Sequence, residues 1–273
     1  MRARAGRLTA EEHRAWGDSG FFIRRRCFEA REIDALRAAA ERVVVLADGA
    51  SRAGGEGYCI DGNRYHEVPG TTIQFEHAAD SQTARVIEPF HHLDVDFDRL
   101  IDDPRIAEPM RDLVGDERIA LFTDKLNLKR PLEGSGFRWH QDSPYWAHFA
   151  PHLDRLPNVM LALDDAWERN GCVRVIDGSH KRGMLPGLDG DGVLGPLFTD
   201  PRFFDEARQV PAEMPAGSLL FFSPHTVHGS QPNASTEPRR ALVLTYQPGG
   251  HRMFKVDAKR EARVGPRVPA QGE

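Results

Sequence analysis

At Gly115 the spacing of apolar positions along the chain changes from the helical repeat to short extended runs. Before it, Thr9 and Glu12 form a T-x-x-E capping signature that predicts a short helix, stopped at Asp18–Gly20. Phe21, Phe22 and Ile23 then read as a strand. Across 29–46, Ile33, Leu36, Ala40, Val43 and Val44 recur at helical spacing and predict an amphipathic helix lying on a sheet. Residues 95–114 read as helical. The Gly-rich, polar stretch 48–66 reads as a mobile loop carrying Tyr58, Arg64 and Tyr65. After Gly115, extended runs at 119–128, 137–142, 158–163, 172–176, 218–222 and 241–247 are separated by Gly, Pro, Asn and Asp clusters. Many short strands behind a helical N-terminal part predict an α+β, mainly β fold: a jelly roll with N-terminal and flanking helices.

Length suits a single domain over 1–273, with its core at about 10–250 and a flexible tail from about 264. The Gly-rich connection 183–199 is long enough to be a lid or to be disordered. A net charge of -5 gives no global basic field for nucleic acid or an anionic membrane. No stretch approaches about 18 consecutive apolar residues, so no membrane span is expected. The three cysteines include no C-x-x-C pair, which argues against a disulfide framework or a thiolate zinc site and suits a reducing cytoplasm. Nothing in the sequence fixes an oligomeric state.

The chemistry concentrates in FRWHQDSPYWAHFA, residues 137–150. In an extended strand His140 and Asp142 share a face, placing an imidazole beside a carboxylate. That is two-thirds of a 2-His-1-carboxylate set, which holds Fe(II) with positions left open and also suits Zn, Ni or Co. Downstream, the apolar strand before SPHTVHGSQPN offers His225 and His228, and Gly229 permits a close backbone approach to a bound group. Arg239 and Arg240 must point to opposite faces of their strand, so one enters the barrel and the other meets solvent. A buried arginine there requires an anion, such as a carboxylate held in a bidentate fork.

The runs WHQD (139–142), NGC through DGSHK (170–181), AGSLLFF through HGS to Asn233, and Arg239 together resemble the phytanoyl-CoA dioxygenase family of Fe(II)/2-oxoglutarate oxygenases over about 10–250. The resemblance implies a double-stranded β-helix, cupin-like core. It implies His140, Asp142 and His228 as iron ligands and Arg239, assisted by Ser230, on the distal carboxylate of 2-oxoglutarate. It further implies Lys129 near the co-substrate, with Gln141 as an additional candidate; Asn127 is another, because it shares the strand face of Lys129. Met160 departs from the pattern, since some members carry a Trp at about that position. The HQDSPYW run also resembles ectoine hydroxylases in part. O2 is then the oxidant, ascorbate a supporting reductant, and succinate and CO2 the co-products of hydroxylating an unactivated C–H bond. Asp142 bears on the outcome, because a small residue there would open a metal position to halide.

The expected partner is a small metabolite or natural product, with Tyr65, Tyr145, Trp146 and Arg174 as candidate contacts. No basic cluster marks a CoA phosphate. The alternative is a metal-binding cupin without oxygen chemistry, either an isomerase or a ligand-binding module. A buried anion clamp such as Arg239 would be superfluous in such a protein.

Overall fold

The computed structural model describes residues 6–263, so the tail expected to be flexible lies outside it. Helix α1 (Ala10–Ser19) starts at Thr9, whose hydroxyl accepts from the Glu12 amide while the Glu12 carboxylate accepts from the Thr9 amide. Strand β1 (Phe21–Arg24) follows, then α2 (Ala30–Ala53), which buries Ile33, Leu36, Ala39, Ala40, Val43 and Ala47 along one face.

Residues 48–66 are not a loop. Helix α2 runs on to Ala53, and β2 (Glu56–Ile60) and β3 (Asn63–Val68) form a hairpin. Asp61 and Gly62 close it, both with positive φ (48° and 77°), the backbone sign that matches a two-residue turn to strand twist. Strands β4 (Thr71–Phe75) and β5 (Ala84–Glu88) continue the same sheet and were not expected. The helical stretch 95–114 divides into α3 (Val95–Leu100) and α4 (Pro104–Val114). Pro104 takes the first turn, where no backbone donor is needed, and the Asp103 carboxylate accepts from the Arg105 amide.

The remaining strands are β6 (Ile119–Lys129), β7 (Phe137–His140), β8 (Asn158–Ala162), β9 (Val173–Ile176), β10 (Gln209–Pro211), β11 (Leu219–Phe222), β12 (His228–Ser230) and β13 (Arg239–Pro248). Nine of the strands make one antiparallel sheet, ordered β1-β11-β8-β13-β6-β5-β4-β3-β2, and the other four make the facing sheet β10-β9-β12-β7. One core lies outside the large sheet, where Leu126, Leu128, Leu242 and Leu244 join the residues of α2, α3 and α4. The other lies between the sheets and contains Met160, Ala162, Val173, Val175, Leu220, Phe222 and Val243. Across β6 and β13 the inward partners are Lys125↔Val243, Asn127↔Ala241 and Lys129↔Arg239, so strand alternation sends three polar β6 side chains into the barrel.

Near the end of the described residues, Lys255 pairs with Glu88 at 3.1 Å, and Arg260 with Asp98 and Asp102. Among the described residues no helix is long and apolar enough to cross a membrane.

Candidate active site

His140 and His228 stand directly opposite each other on the antiparallel pair β7·β12. Their ring centroids are 4.2 Å apart. Asp142 joins them, and one ligand atom from each of the three residues lies within 4.8 Å of the others. The extended-strand argument for this pair needs correcting. Strand β7 ends at His140, and Asp142 has φ -75° and ψ -29°, opening the one-turn helix Ser143–Trp146. A turn, not the pleat, swings the carboxylate back beside the imidazole.

Both histidines are oriented for coordination. His140 Nδ1 is 2.7 Å from the Arg138 carbonyl and His228 Nδ1 is 2.9 Å from the Thr226 carbonyl. A carbonyl only accepts, so each Nδ1 carries the proton and each Nε2 keeps a lone pair for a metal. Burial and the neighbouring His228 hold His140 down to about 3, which keeps it neutral. Burial alone would raise the Asp142 carboxyl. Lys125 foremost, together with the hydrogen bond from Asn158, reverses that and holds it below the ordinary carboxylate range. Asn158 donates to Asp142 Oδ2 at 2.9 Å and accepts from Thr245 at 2.6 Å. Asn158→Ala is therefore expected to lower metal affinity about 10- to 100-fold, the usual effect of losing a group that orients a ligand, as read by competition against a chelator.

His225 lies elsewhere: its Nε2 meets Asp154 at 2.7 Å. His225→Ala is expected to leave metal affinity within about twofold of the unmodified protein, because its ring is held by Asp154 and not by the cluster. Equal losses at His225 and His228 in the same titration would refute that assignment. Gly229 does make a close approach, but to β7 and not to a ligand: a Cβ there would sit 2.9 Å from the Phe137 carbonyl oxygen.

A group of basic side chains lies on the facing sheet, where β13 begins and β6 ends. Arg239 is 3% exposed, its Nε has no partner, and its guanidinium makes no hydrogen bond among the described residues. Burial pushes it down to about 10. Lys129, opposite it on β6, donates to Ser230 Oγ at 2.8 Å and to the Gln231 carbonyl. Burial, followed by the like charges of Arg239 and Arg85, brings the Lys129 ammonium down to about 6. Gly171 makes room for that ammonium, because a Cβ at its φ of +76° would lie 2.8 Å from Lys129 Nζ. Arg240 faces the other way, as strand alternation requires, and pairs with Asp164 and Glu41. A buried guanidinium and a buried lysine amine with no carboxylate within 4 Å among the described residues suit an anion with two faces to satisfy.

Other expected contacts separate. Asn127 is half-buried on the inner face between Lys125 and Lys129, with its amide free of protein partners among the described residues. Gln141 does not point into the site. Its amide nitrogen donates to the Gly183 and His225 carbonyls and its oxygen accepts from Leu185, so it fastens loops together. Tyr145 sits with its ring 5.9 Å from that of His140, and Tyr65 stacks on Tyr58 at 5.1 Å. Trp146 is core, 1% exposed and packed edge-on to Phe122. Arg174 is on the outer face of β9, where Gln209 and Glu168 hold its guanidinium, so it does not enter the barrel. Segment 183–199 is tied to its neighbours at three points. Phe198 bridges to His140, Asp191 pairs with Arg138 at 2.6 Å, and the Leu194 amide donates to Asp61 at the β2–β3 turn. Sequence reasoning missed Lys125, whose Nζ is 3.8 Å from Asp142 Oδ1 and 5.7 Å from the Trp146 ring centroid. The alternation that relates Asn127 to Lys129 reaches Lys125 two residues earlier.

Known proteins resemble the chain in fold and in sequence. A methylphosphonate hydroxylase of Gimesia maris is 34% identical over 148 residues, 54% of this chain and 52% of that protein. An L-proline trans-4-hydroxylase of Streptomyces griseoviridis is 28% identical over 188 residues, 61% of this chain and 68% of that protein. The aligned part thus spans about half to two-thirds of these relatives. The crystal structure of EctD from S. alaskensis with 2-oxoglutarate and 5-hydroxyectoine superposes with a TM-score of 0.67 at 23% identity, covering 93% of this chain and 81% of that one, which establishes the shared fold. Residues 16–241 match the family described as Phytanoyl-CoA dioxygenase (PhyH), most of the chain and all three members of the His–Asp–His cluster, and the protein belongs to that family.

Proposed function

We propose that the protein is a non-haem Fe(II)- and 2-oxoglutarate-dependent dioxygenase that hydroxylates a C–H bond of a small metabolite. The observation that carries this reading is the pairing, inside one barrel, of a compact His140–Asp142–His228 donor set with buried Arg239 and Lys129, neither of which has a carboxylate within 4 Å among the described residues. Two neutral imidazoles and one carboxylate fit a divalent metal and leave half of an octahedral shell for exogenous ligands. A cupin that only held a metal would gain nothing from burying Arg239 without a partner, which disfavours the isomerase or binding-module reading.

His140, Asp142 and His228 would hold the iron, with Asn158 fixing the carboxylate. Arg239, Lys129 and Ser230 would take the distal carboxylate of 2-oxoglutarate, which fixes the direction in which the keto acid reaches the metal. Bound iron, 2-oxoglutarate and O2 supply the oxidising power: the keto acid leaves as succinate and CO2, and one oxygen atom enters the substrate C–H bond. Tyr145 and the 183–199 segment, which meets His140 through Phe198, would bound the space beside the donor set and keep water from it, with Tyr65 a further candidate contact for the substrate. The relatives named above act on methylphosphonate and L-proline, which supports a small, polar, oxyanion-bearing substrate here. The test is succinate release by iron-loaded protein across a panel of small carboxylates and phosphonates. Substrate-dependent succinate with a matching hydroxylated product is expected. Succinate at one uniform low rate, with no product from any member, would contradict a substrate of this class.

A further inference from the structure

Strand β5 carries a bulge. Gln74 pairs with Val86 and Phe75 with Ala84, which leaves Arg85 with no partner residue on β4. Bulges of this kind turn a side chain out of the face that strict alternation would give it. Ala84 joins the outer core with Phe75, and the Arg85 guanidinium lies over the Phe137 ring with its carbon 4.2 Å from the centroid. Lys129 Nζ lies 5.7 Å from the same centroid, so the two cations flank one aromatic ring. Arg85 is 3% exposed, donates to the Gly136 carbonyl at 2.9 Å and contacts His77, and its Nε has no partner. No carboxylate lies within 4 Å of Arg85 among the described residues; Glu76, the acid that acts on it electrostatically, is hydrogen-bonded to Ser135. Arg239, Lys129 and Arg85 therefore form a row across three neighbouring strands, β13, β6 and β5.

We propose that Arg85 is a further positioning residue for the co-substrate, drawing the distal carboxylate of 2-oxoglutarate toward Lys129 from the side opposite Arg239. The inference rests on the dioxygenase reading of the site. Arg85 supplies long-range attraction and favours the charged form of the bound anion, while Arg239 and Ser230 supply the direct contacts. A unit charge acting over roughly 10 Å at an effective dielectric near 20 changes affinity by about tenfold.

The experiment compares two keto acids in the iron-loaded protein without oxygen. One is 2-oxoglutarate, and the other is 2-oxovalerate, which keeps the iron-chelating end and lacks the distal carboxylate. Binding is read by calorimetry. Arg85→Met is expected to weaken 2-oxoglutarate about tenfold while leaving 2-oxovalerate unchanged, and Arg85→Lys should restore most of the loss. Equal weakening of both keto acids would show that Arg85 merely braces Gly136 and Phe137, and no weakening of either would show that it does not act on the co-substrate; each result overturns the proposal. If Arg85→Met fails to fold, the Arg85→Lys and Arg85→Gln pair decides by the same ratio. Failure of the unmodified protein to bind 2-oxoglutarate at all would refute the dioxygenase reading itself, a result distinct from loss at Arg85.

Discussion

Arg239→Met is expected to abolish tight 2-oxoglutarate binding while leaving the ligand-free protein as stable as before or more so. The two effects have one cause. The guanidinium is buried to 3% exposure, has an unpartnered Nε, and lies opposite a lysine that is itself displaced toward neutrality. Without a ligand, this arrangement holds a charge out of water with no compensating carboxylate among the described residues, and Met removes that cost while keeping much of the volume. With the ligand, removing one member of a buried, hydrogen-bonded charge pair costs about 2–5 kcal/mol, roughly a 30- to 4,000-fold loss of affinity. Calorimetric titration and a thermal melt of the same sample check both halves. A large fall in the ligand-free melting temperature would mean that Arg239 supports the fold more than it serves a ligand.

The second large effect is at the metal. Asp142→Ala removes the only anionic donor of the cluster and leaves two neutral imidazoles to hold a divalent cation. Loss of an orienting neighbour alone costs about 10–100-fold in metal affinity, so loss of the ligand itself should exceed about 100-fold. The change also strips Lys125 of one of the two acids that act on it, leaving Glu88, and strips Asn158 of its acceptor. Asp142→Asn, which keeps the Oδ atom but not the charge, should therefore fall between the alanine variant and the unmodified protein. Competition with a chromophoric chelator measures all three. Metal affinity unchanged in Asp142→Ala would remove Asp142 from the donor set.

The parts of this molecule that follow short-range rules were legible in its sequence. The Thr9–Glu12 box gave α1, and the helical repeat of Ile33, Leu36, Ala40 and Val43 gave the buried face of α2. Strand alternation separated Arg239 from Arg240. What misled was composition. The Gly-rich stretch 48–66 looked like a loop, although Asp61–Gly62 is a hairpin signal flanked by residues able to pair. Of its strands β2 is exposed and β3 is half-buried along its whole length, so neither shows the apolar alternation that marks a strand over a core. The pair His140 and Asp142 was found through a geometric rule that does not apply, since the chain turns after His140. Gln141, Trp146 and Arg174 were named because they neighbour site residues or carry suitable groups. Their side chains are instead taken up by loop carbonyls, a buried aromatic cluster and an outer-face ion pair, which only the tertiary fold decides. Arg85 had no local signal at all, because its inward aim comes from a bulge set by pairing with β4.

The most direct measurement is an anaerobic titration of the purified protein with Fe(II) and then with 2-oxoglutarate, followed in the visible range. A metal held by His140, Asp142 and His228, chelated by a keto acid whose far end is held by Arg239, should give a metal-to-ligand charge-transfer band that saturates at one co-substrate per iron. The Arg239→Met protein should need far more 2-oxoglutarate to reach the same band. Absence of the band in folded protein shown to contain one iron per chain would contradict a dioxygenase site at these residues.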